Sequence, residues 1–513
     1  MGMDPGFHRG DDKVGITDSG VRNLRPTNFV LSTYRTRLCN NLMSNELCFK
    51  SARELAGLLR AGTVSAREVM SAFLSQIAKL NPKINGLVAK LPDNLCLALA
   101  EDADRRLARG DDVGPLHGLP FAFKELDPVV GFPMTRGSLI FKDFMPSEDS
   151  VLAERLRRAG VLPIGKTNIS EFGMGSHSYN DVYGMTLNPY DRTKSAGGSS
   201  GGAGAALAAG MLPLASGSDL GGSLRNPANF NNIVALRPSV GLVPSAPVAL
   251  PFLGFTVKGP MARSVADTAL LLSVMAGADP RDPACYPSDP AIFAQRLDRD
   301  FREIRIAWCP NLGGLPLDRH VRDVLDWQRQ TFVDLGSVVE DVVPDLTGAD
   351  EVFLTLRAWH YWHTLGPLLE HHRDKMKPEA VWQIEQGQKL SGDDIARAMH
   401  LHGELLQRMR RFQEKYQFII CAVNQVPPFD ATLDWPHEID GVKMETYLDW
   451  MKSAYWITST FCPAISVPAG FTPDGLPVGI QLVGRYRDDL GVLQLAHAFE
   501  QMTGFGKTRP AID

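Results

Sequence analysis

Glycine, serine and alanine dominate residues 197–259, yet apolar segments run through the whole stretch: Ala-Ala-Leu-Ala-Ala at 205–209, Leu-Pro-Leu at 212–214 and Ile-Val-Ala-Leu at 233–236. A flexible linker of that composition would lack such segments. Small residues inside apolar patterning require backbones packed closely together. Within the stretch stand two clusters, Gly197-Gly198-Ser199-Ser200-Gly201-Gly202 and Gly217-Ser218-Asp219-Leu220-Gly221-Gly222-Ser223-Leu224-Arg225. Glycine beside serine lets main-chain N–H groups approach a small ligand, as an oxyanion hole requires. Upstream, Lys124 closes the run Leu119-Pro120-Phe121-Ala122-Phe123. A lysine ending an apolar run is placed to lose its proton in a dry site. Together these features suggest a serine hydrolase whose base is lysine rather than histidine.

Helix and strand signals alternate. Ser51-x-x-Glu54 and Ser65-x-x-Glu68 both read as capping boxes. The second opens a helix with Val69, Phe73 and Ile77 on one apolar face, which packs either internally or against a second copy in a homodimer. Ser150 caps a further helix that Gly160 stops, and residues 161–164 follow as a buried strand. Repetition of helix and strand points to an α/β layered fold. Residues 277–291 carry four prolines and read as a surface connection. Residues 304–308 return as a strand, 350–415 are mainly helical, and 461–468 and 476–484 form two strands joined by a Pro473-Asp474-Gly475 turn.

Of the 513 residues, 44% are hydrophobic and 22% charged, as in a soluble globular protein with a large core. The formal net charge of −5 argues against nucleic acid as a partner. Seven cysteines, thinly spread and without a CxxC pair, read as free thiols of a cytoplasmic protein. The run from Ala203 to Ala215 is too short and too interrupted to span a bilayer, so no membrane association is expected. Residues 1–42 read as a poorly ordered N-terminal extension, with Met1 and Met43 both candidate starts.

The two clusters and Lys124 occur in order with Gly165-Lys166-Thr167-Asn168, Glu171-Phe172-Gly173-Met174-Gly175-Ser176 and Gly475-Leu476-Pro477-Val478-Gly479-Ile480-Gln481-Leu482-Val483-Gly484. This ordered set resembles the amidase signature family across roughly residues 50–505, most strongly over 118–260. The resemblance implies an α/β/α sandwich around a large mixed, twisted β-sheet. It implies a single domain over 43–513, with the signature core at 118–260 and a variable substrate region at 290–460. It also implies roles: Ser223 as nucleophile, Ser199 as proton relay with a cis peptide bond to Gly198, and Lys124 as base. Leu220, Gly221, Gly222 and Ser223 would supply oxyanion N–H groups. Gly173 and Met174 would line the acyl pocket, and Ser200 is counted with them as substrate-binding. Ser199 and Ser200 would hydrogen-bond the Lys124 amine. No cofactor or metal is expected, and the implied substrate is a small amide or carbamate. Departures include Ser218 where Thr is usual, Asn231 where Cys is usual, Arg237 where Lys is usual and Glu125 where Asp is frequent.

Competing readings are weaker. Gly197-Gly198-Ser199-Ser200-Gly201 fits the G-x-S-x-G elbow of α/β-hydrolases, but the turn-like residues 188–195 precede it where a strand is needed. The glycines lack the Lys-Ser/Thr of a phosphate-binding loop. His360 and His363, near His371 and His372, have no ligand cluster around them and carry no zinc reading. Asp219 and Arg225 read as scaffold, since an anion beside an oxyanion would oppose it. Residues 357–363, with Trp450, Tyr455 and Trp456, are placed near the substrate entrance. Within the family, a glutamine-hydrolysing amidotransferase component is the alternative to a standalone hydrolase.

Overall fold

Ser51 and Ser65 each close a reciprocal cap. The Glu54 N–H donates to Ser51 Oγ at 3.1 Å while the Ser51 N–H donates to Glu54 at 2.8 Å, and Ser65 and Glu68 repeat the arrangement. They open helices Ala52–Arg60 and Ala66–Ile84. Val69, Phe73 and Ile77 are buried in the core of the chain itself, which settles the packing of that face as internal. The computed structural model describes residues 46–512, so the expected N-terminal extension and Cys39 lie outside the described residues.

Eleven strands form one mixed sheet. In chain order they are β1 (Leu87–Val88), β2 (Pro120–Lys124), β3 (Leu162–Thr167), β4 (Leu214–Asp219), β5 (Val234–Arg237), β6 (Val257–Ala262), β7 (Arg305–Trp308), β8 (Val338–Asp341), β9 (Phe418–Ala422), β10 (Ala464–Phe471) and β11 (Pro477–Val483). Their spatial order is β1-β3-β2-β4-β6-β5-β10-β11-β9-β7-β8. β2 runs parallel to both β3 and β4, β6 is antiparallel to β4 and β5, and β10 is antiparallel to β5 and β11. Helices flank the sheet, and β2, β4 and β11 are buried throughout. This is the α/β sandwich around a large mixed sheet that the sequence resemblance implied.

The glycine- and alanine-rich stretch is interior. Helix Gly201–Ala208 has every residue buried, and β4 follows it without an exposed position. Residues 350–415 fold as helices Ala349–His372, Pro378–Gln388 and Gly392–Lys415. The 473–475 turn joins β10 to β11, with the Gly475 N–H donating to the Thr472 carbonyl at 2.9 Å. Among the described residues, no helix is long and apolar enough to cross a membrane.

Candidate active site

Three parallel strands deliver their C-terminal ends to one rim, where open α/β sheets commonly bind ligands. Lys124 is the last residue of β2. β4 ends at Asp219 and runs on into the loop carrying Leu220 to Leu224. β3 ends at Thr167 and leads to Gly173 and Met174.

Lys124 is fully buried. Its Nζ lies 2.8 Å from Ser199 Oγ and 3.1 Å from the Ser218 carbonyl. Burial is the largest influence on the amine and lowers its pKa to about 7; the nearby Lys258 charge lowers it further, while Asp127 and Asp219 oppose both. Lys258 stands opposite Ser218 in the β4–β6 pairing, and its ammonium is bonded to the Asp127 carboxylate. Lys166 donates to the Asp127 carbonyl, and burial brings its own pKa down to about 8. Burial also pushes the Glu125 carboxyl up to about 7, against the charge of Lys166.

The Gly198–Ser199 peptide bond is cis. The segment around it is pinned by side chains: Asn226 Oδ1 accepts the Gly198 N–H at 2.8 Å, and Ser178 Oγ donates to the Ser199 carbonyl at 3.3 Å. Gly173 lies close by, since a Cβ added there would sit 3.5 Å from Ser199 Oγ and 2.8 Å from Leu126. Residues 196–199 are irregular, so no strand leads into Ser199 as a nucleophile elbow demands.

Ser223 is 8% exposed and its carbonyl accepts the Ser200 N–H at 3.3 Å. Its hydroxyl makes no hydrogen bond to Ser199, whose Oγ is instead held by the Lys124 amine. The Leu220, Gly221 and Ser223 N–H groups make no hydrogen bond to the described residues. Gly222 differs: its N–H donates to Asp219 Oδ1 at 2.8 Å, so only three of the four expected oxyanion donors are open. Gly222 has φ of 119° and its Cβ position would fall 2.7 Å from Ala454, so only glycine suits the turn.

Ser200 departs from expectation as well. Its side chain is fully buried and its Oγ has no partner among the described residues, next to Gly217 and without a bond to Lys124. The place assigned to it on the amine is taken by the Ser218 carbonyl.

Asp219 and Arg225 are scaffold in their geometry. Arg225 donates to both Asp219 oxygens at 3.0 Å, and reaches the Ala454 carbonyl at 2.9 Å, Thr458 Oγ1 at 2.8 Å and Gln481 Oε1 at 2.6 Å. Arg237, from β5, adds a 3.2 Å bond to Asp219 Oδ1. Burial alone would raise the Asp219 pKa, but the two guanidinium charges hold it well below the ordinary carboxylate value.

Helix Ala349–His372 covers the rim. Phe353 packs over Gly221, and Tyr361 clusters with Phe172, Met174 and Leu220. Two cavities open here. One lies among Met174, Gly175, Tyr447 and Trp450. The other, about 490 Å³, is lined by Leu126, Phe172, Lys258, His360 and Tyr361 among others. Trp450 walls the first of these cavities, whose lining includes none of Lys124, Ser199 and Ser223, whereas Tyr455 and Trp456 turn their polar atoms to Asp350. A larger cavity of about 780 Å³, along Leu406, Met409, Gln413 and Tyr486, contains none of these residues. Sequence reasoning missed Asp127 and Lys258. For Lys258 the available signal was a lone charge within the otherwise apolar strand β6; Asp127, in the bend after β2, carried none.

The family model described as Amidase matches residues 68–493. An acylamidase of Rhodococcus erythropolis is 33% identical over 473 residues, covering 92% of this chain and 99% of the relative. A glutamyl-tRNA(Gln) amidotransferase component of Methylobacillus flagellatus is 30% identical over 488 residues, covering 90% of this chain and 98% of the relative. Among solved structures, a bacterial aryl acylamidase belonging to the amidase signature enzymes superposes with a TM-score of 0.82 at 27% identity, covering 90% of this chain and 99% of that one.

Proposed function

The chain belongs to the amidase signature family of amide-hydrolysing enzymes, and from that premise we propose that it cleaves aryl and alkyl amides through an acyl-enzyme on Ser223. The observation that carries this reading is the 2.8 Å contact between the buried Lys124 amine and Ser199 Oγ, in surroundings that favour the neutral amine.

Ser223 Oγ attacks the amide carbonyl carbon. Its proton passes to Ser199 Oγ as the Ser199 proton moves to the Lys124 lone pair. The Ser223 hydroxyl turns toward Ser199 to complete this relay, a step that substrate binding assists. Negative charge on the carbonyl oxygen is taken up by the open N–H groups of Leu220, Gly221 and Ser223. Collapse breaks the C–N bond, and the proton held at Lys124 returns through Ser199 to the departing amine. Water then attacks the acyl carbon, gives its proton along the same route, and restores Ser223. Anilides, esters and carbamates share the tetrahedral intermediate and fall within the same class. Gly173 and Met174 flank the acyl group, with Met174 offering a soft apolar contact. No cofactor enters any step.

The amidotransferase relatives favour one second reading, glutamine hydrolysis that supplies ammonia to a partner. Labelling with an aryl fluorophosphonate and peptide mapping tests the first reading, with modification expected on Ser223. A screen of anilides, carbamates, primary amides and glutamine follows. Modification of another residue sinks the mechanism. Turnover of glutamine alone, and only with partner proteins present, moves the assignment to the second reading.

A further inference from the structure

His177 is a buried histidine, 3% exposed, that takes no part in the acyl-enzyme steps, yet it lies against the segment that carries Ser199. A Cβ added at Gly198 would fall 2.8 Å from the His177 main-chain nitrogen. The ring joins two distant segments. Its Nε2 is 3.0 Å from the Ala431 carbonyl, and its Nδ1 is 2.8 Å from Ser195 Oγ. A carbonyl only accepts, which assigns the ring proton to Nε2 and leaves a lone pair on Nδ1. The Ser195 hydroxyl therefore donates to Nδ1, and its oxygen accepts the Gly197 N–H at 3.0 Å. Burial is the main influence on the imidazole and brings its pKa down to about 4, so the neutral ring persists at neutral pH.

This chain of bonds ends two residues before the relay hydroxyl. Gly197 has φ of 72°, and a Cβ there would meet Asn226 Oδ1 at 2.4 Å, so no side chain of its own can anchor the turn. Hydrogen bonds anchor it instead. The Gly197 carbonyl accepts the Ser178 N–H at 3.0 Å, while its N–H is held by Ser195. Residues from the far part of the chain close the clamp: the Phe429 carbonyl accepts the Ser195 N–H at 2.8 Å, and the Phe429 ring stands edge-on to His177 at 5.6 Å. Ser195 and His177 do not form a nucleophile and base of their own. Ser195 has no exposed surface to meet a substrate, and the second ring nitrogen bonds a carbonyl.

We propose that His177 is a positioning residue for the amidase reaction: acting through Ser195, it fixes Gly197 and so aims the Ser199 hydroxyl at the Lys124 amine. Its influence falls on proton relay and not on substrate binding. This inference rests on the acyl-enzyme reading, whose relay it serves.

The test measures kcat and KM of His177→Ala, Ser195→Ala and the double variant on 4-nitroacetanilide, or on whichever anilide the substrate screen finds best. Each single variant is expected to lower kcat by on the order of 10- to 100-fold, the loss that follows from misplacing a reacting group by about an ångström. KM should stay within about twofold, since Ser199 acts in the chemical step. The double variant should match the worse single one, because the two residues act in series. His177→Asn keeps an acceptor for the Ser195 hydroxyl and should recover part of kcat. Ser195→Ala, which removes one oxygen, covers a His177 variant that does not fold. Unchanged kcat per folded molecule, fully additive losses, or a loss confined to KM overturns the proposal. Crystal structures of the same variants give a readout independent of turnover: the 2.8 Å contact between Lys124 Nζ and Ser199 Oγ should open in His177→Ala and persist in His177→Asn. If fluorophosphonate labels a residue other than Ser223, the acyl-enzyme reading fails, and that contact still decides whether His177 positions Ser199.

Discussion

The Lys124 amine lies 3.1 Å from the Ser218 carbonyl, at the C-terminal ends of two adjacent parallel strands. That carbonyl accepts a hydrogen bond from the amine, which leaves the lone pair of the neutral form free to face Ser199. The sheet therefore orients the Lys124 amine as well as burying it.

With burial lowering the Lys124 pKa to about 7, the neutral amine becomes the main form as pH rises past that value. Amidase kcat/KM is expected to climb with an acid limb near pH 7 and to level off above pH 8. A pH–rate profile with an optimum on the acid side contradicts the assignment. Lys124→Ala should abolish this limb, cut activity by about 10³-fold or more, and recover partly at high pH where hydroxide replaces the base.

Ser223→Ala is expected to remove turnover by a similarly large factor while leaving far-UV circular dichroism unchanged. Burst kinetics with an activated ester would show an acyl-enzyme in the wild type and none in the variant. Near-normal rates in the variant would rule out Ser223 as the nucleophile.

Lys258 lowers the Lys124 pKa, while its partner Asp127 raises it. Lys258→Met removes the cation and leaves the carboxylate, so the acid limb should move toward alkaline pH. Activity below the limb falls about tenfold for each unit of that movement. Lys258→Arg should hold the limb in place. A variant that loses kcat at every pH without moving the limb would mark Lys258 as purely structural.

Asp219→Ala leaves Arg225 and Arg237 buried without their shared anion. Breaking such a cluster costs about 3–5 kcal/mol, and it frees the Gly222 N–H from its present acceptor. Denaturant unfolding should show a loss of that size together with loss of activity. Unchanged stability would mean the cluster is not holding the loop.

Much of this fold is written locally. The Ser51 and Ser65 caps, the Val69/Phe73/Ile77 face and the turn at Gly475 each depend on residues within a few positions of one another, so short patterns reveal them. Lys124, Ser199 and Ser223 stand out because glycine and lysine are unusual in such apolar company. Other features depend on neighbours that only the sheet brings together. Lys258 and Asp127 are 131 residues apart and meet across β6 and the end of β2. The Gly222 N–H looks equivalent to its neighbours in sequence, and only the fold of the loop turns it back onto Asp219. Ser200 sits beside Ser199, yet the start of helix Gly201–Ala208 carries its hydroxyl into the interior. Arg357 occupies a helix face otherwise read as aromatic lining, and its lack of an ion partner among the described residues is visible only once Tyr447 and Gln383 are placed around it.

Arg225 gathers Ala454, Thr458 and Gln481 around the carboxylate that shapes the Ser223 loop, and those contacts lie more than two hundred positions further along the chain. The glycine-rich stretch is consequently no portable cassette. Excised on its own it would keep the Ser223 hydroxyl but lose the clamp that shapes its loop, and a clip that released the last strands is expected to silence the enzyme while leaving the signature residues chemically intact.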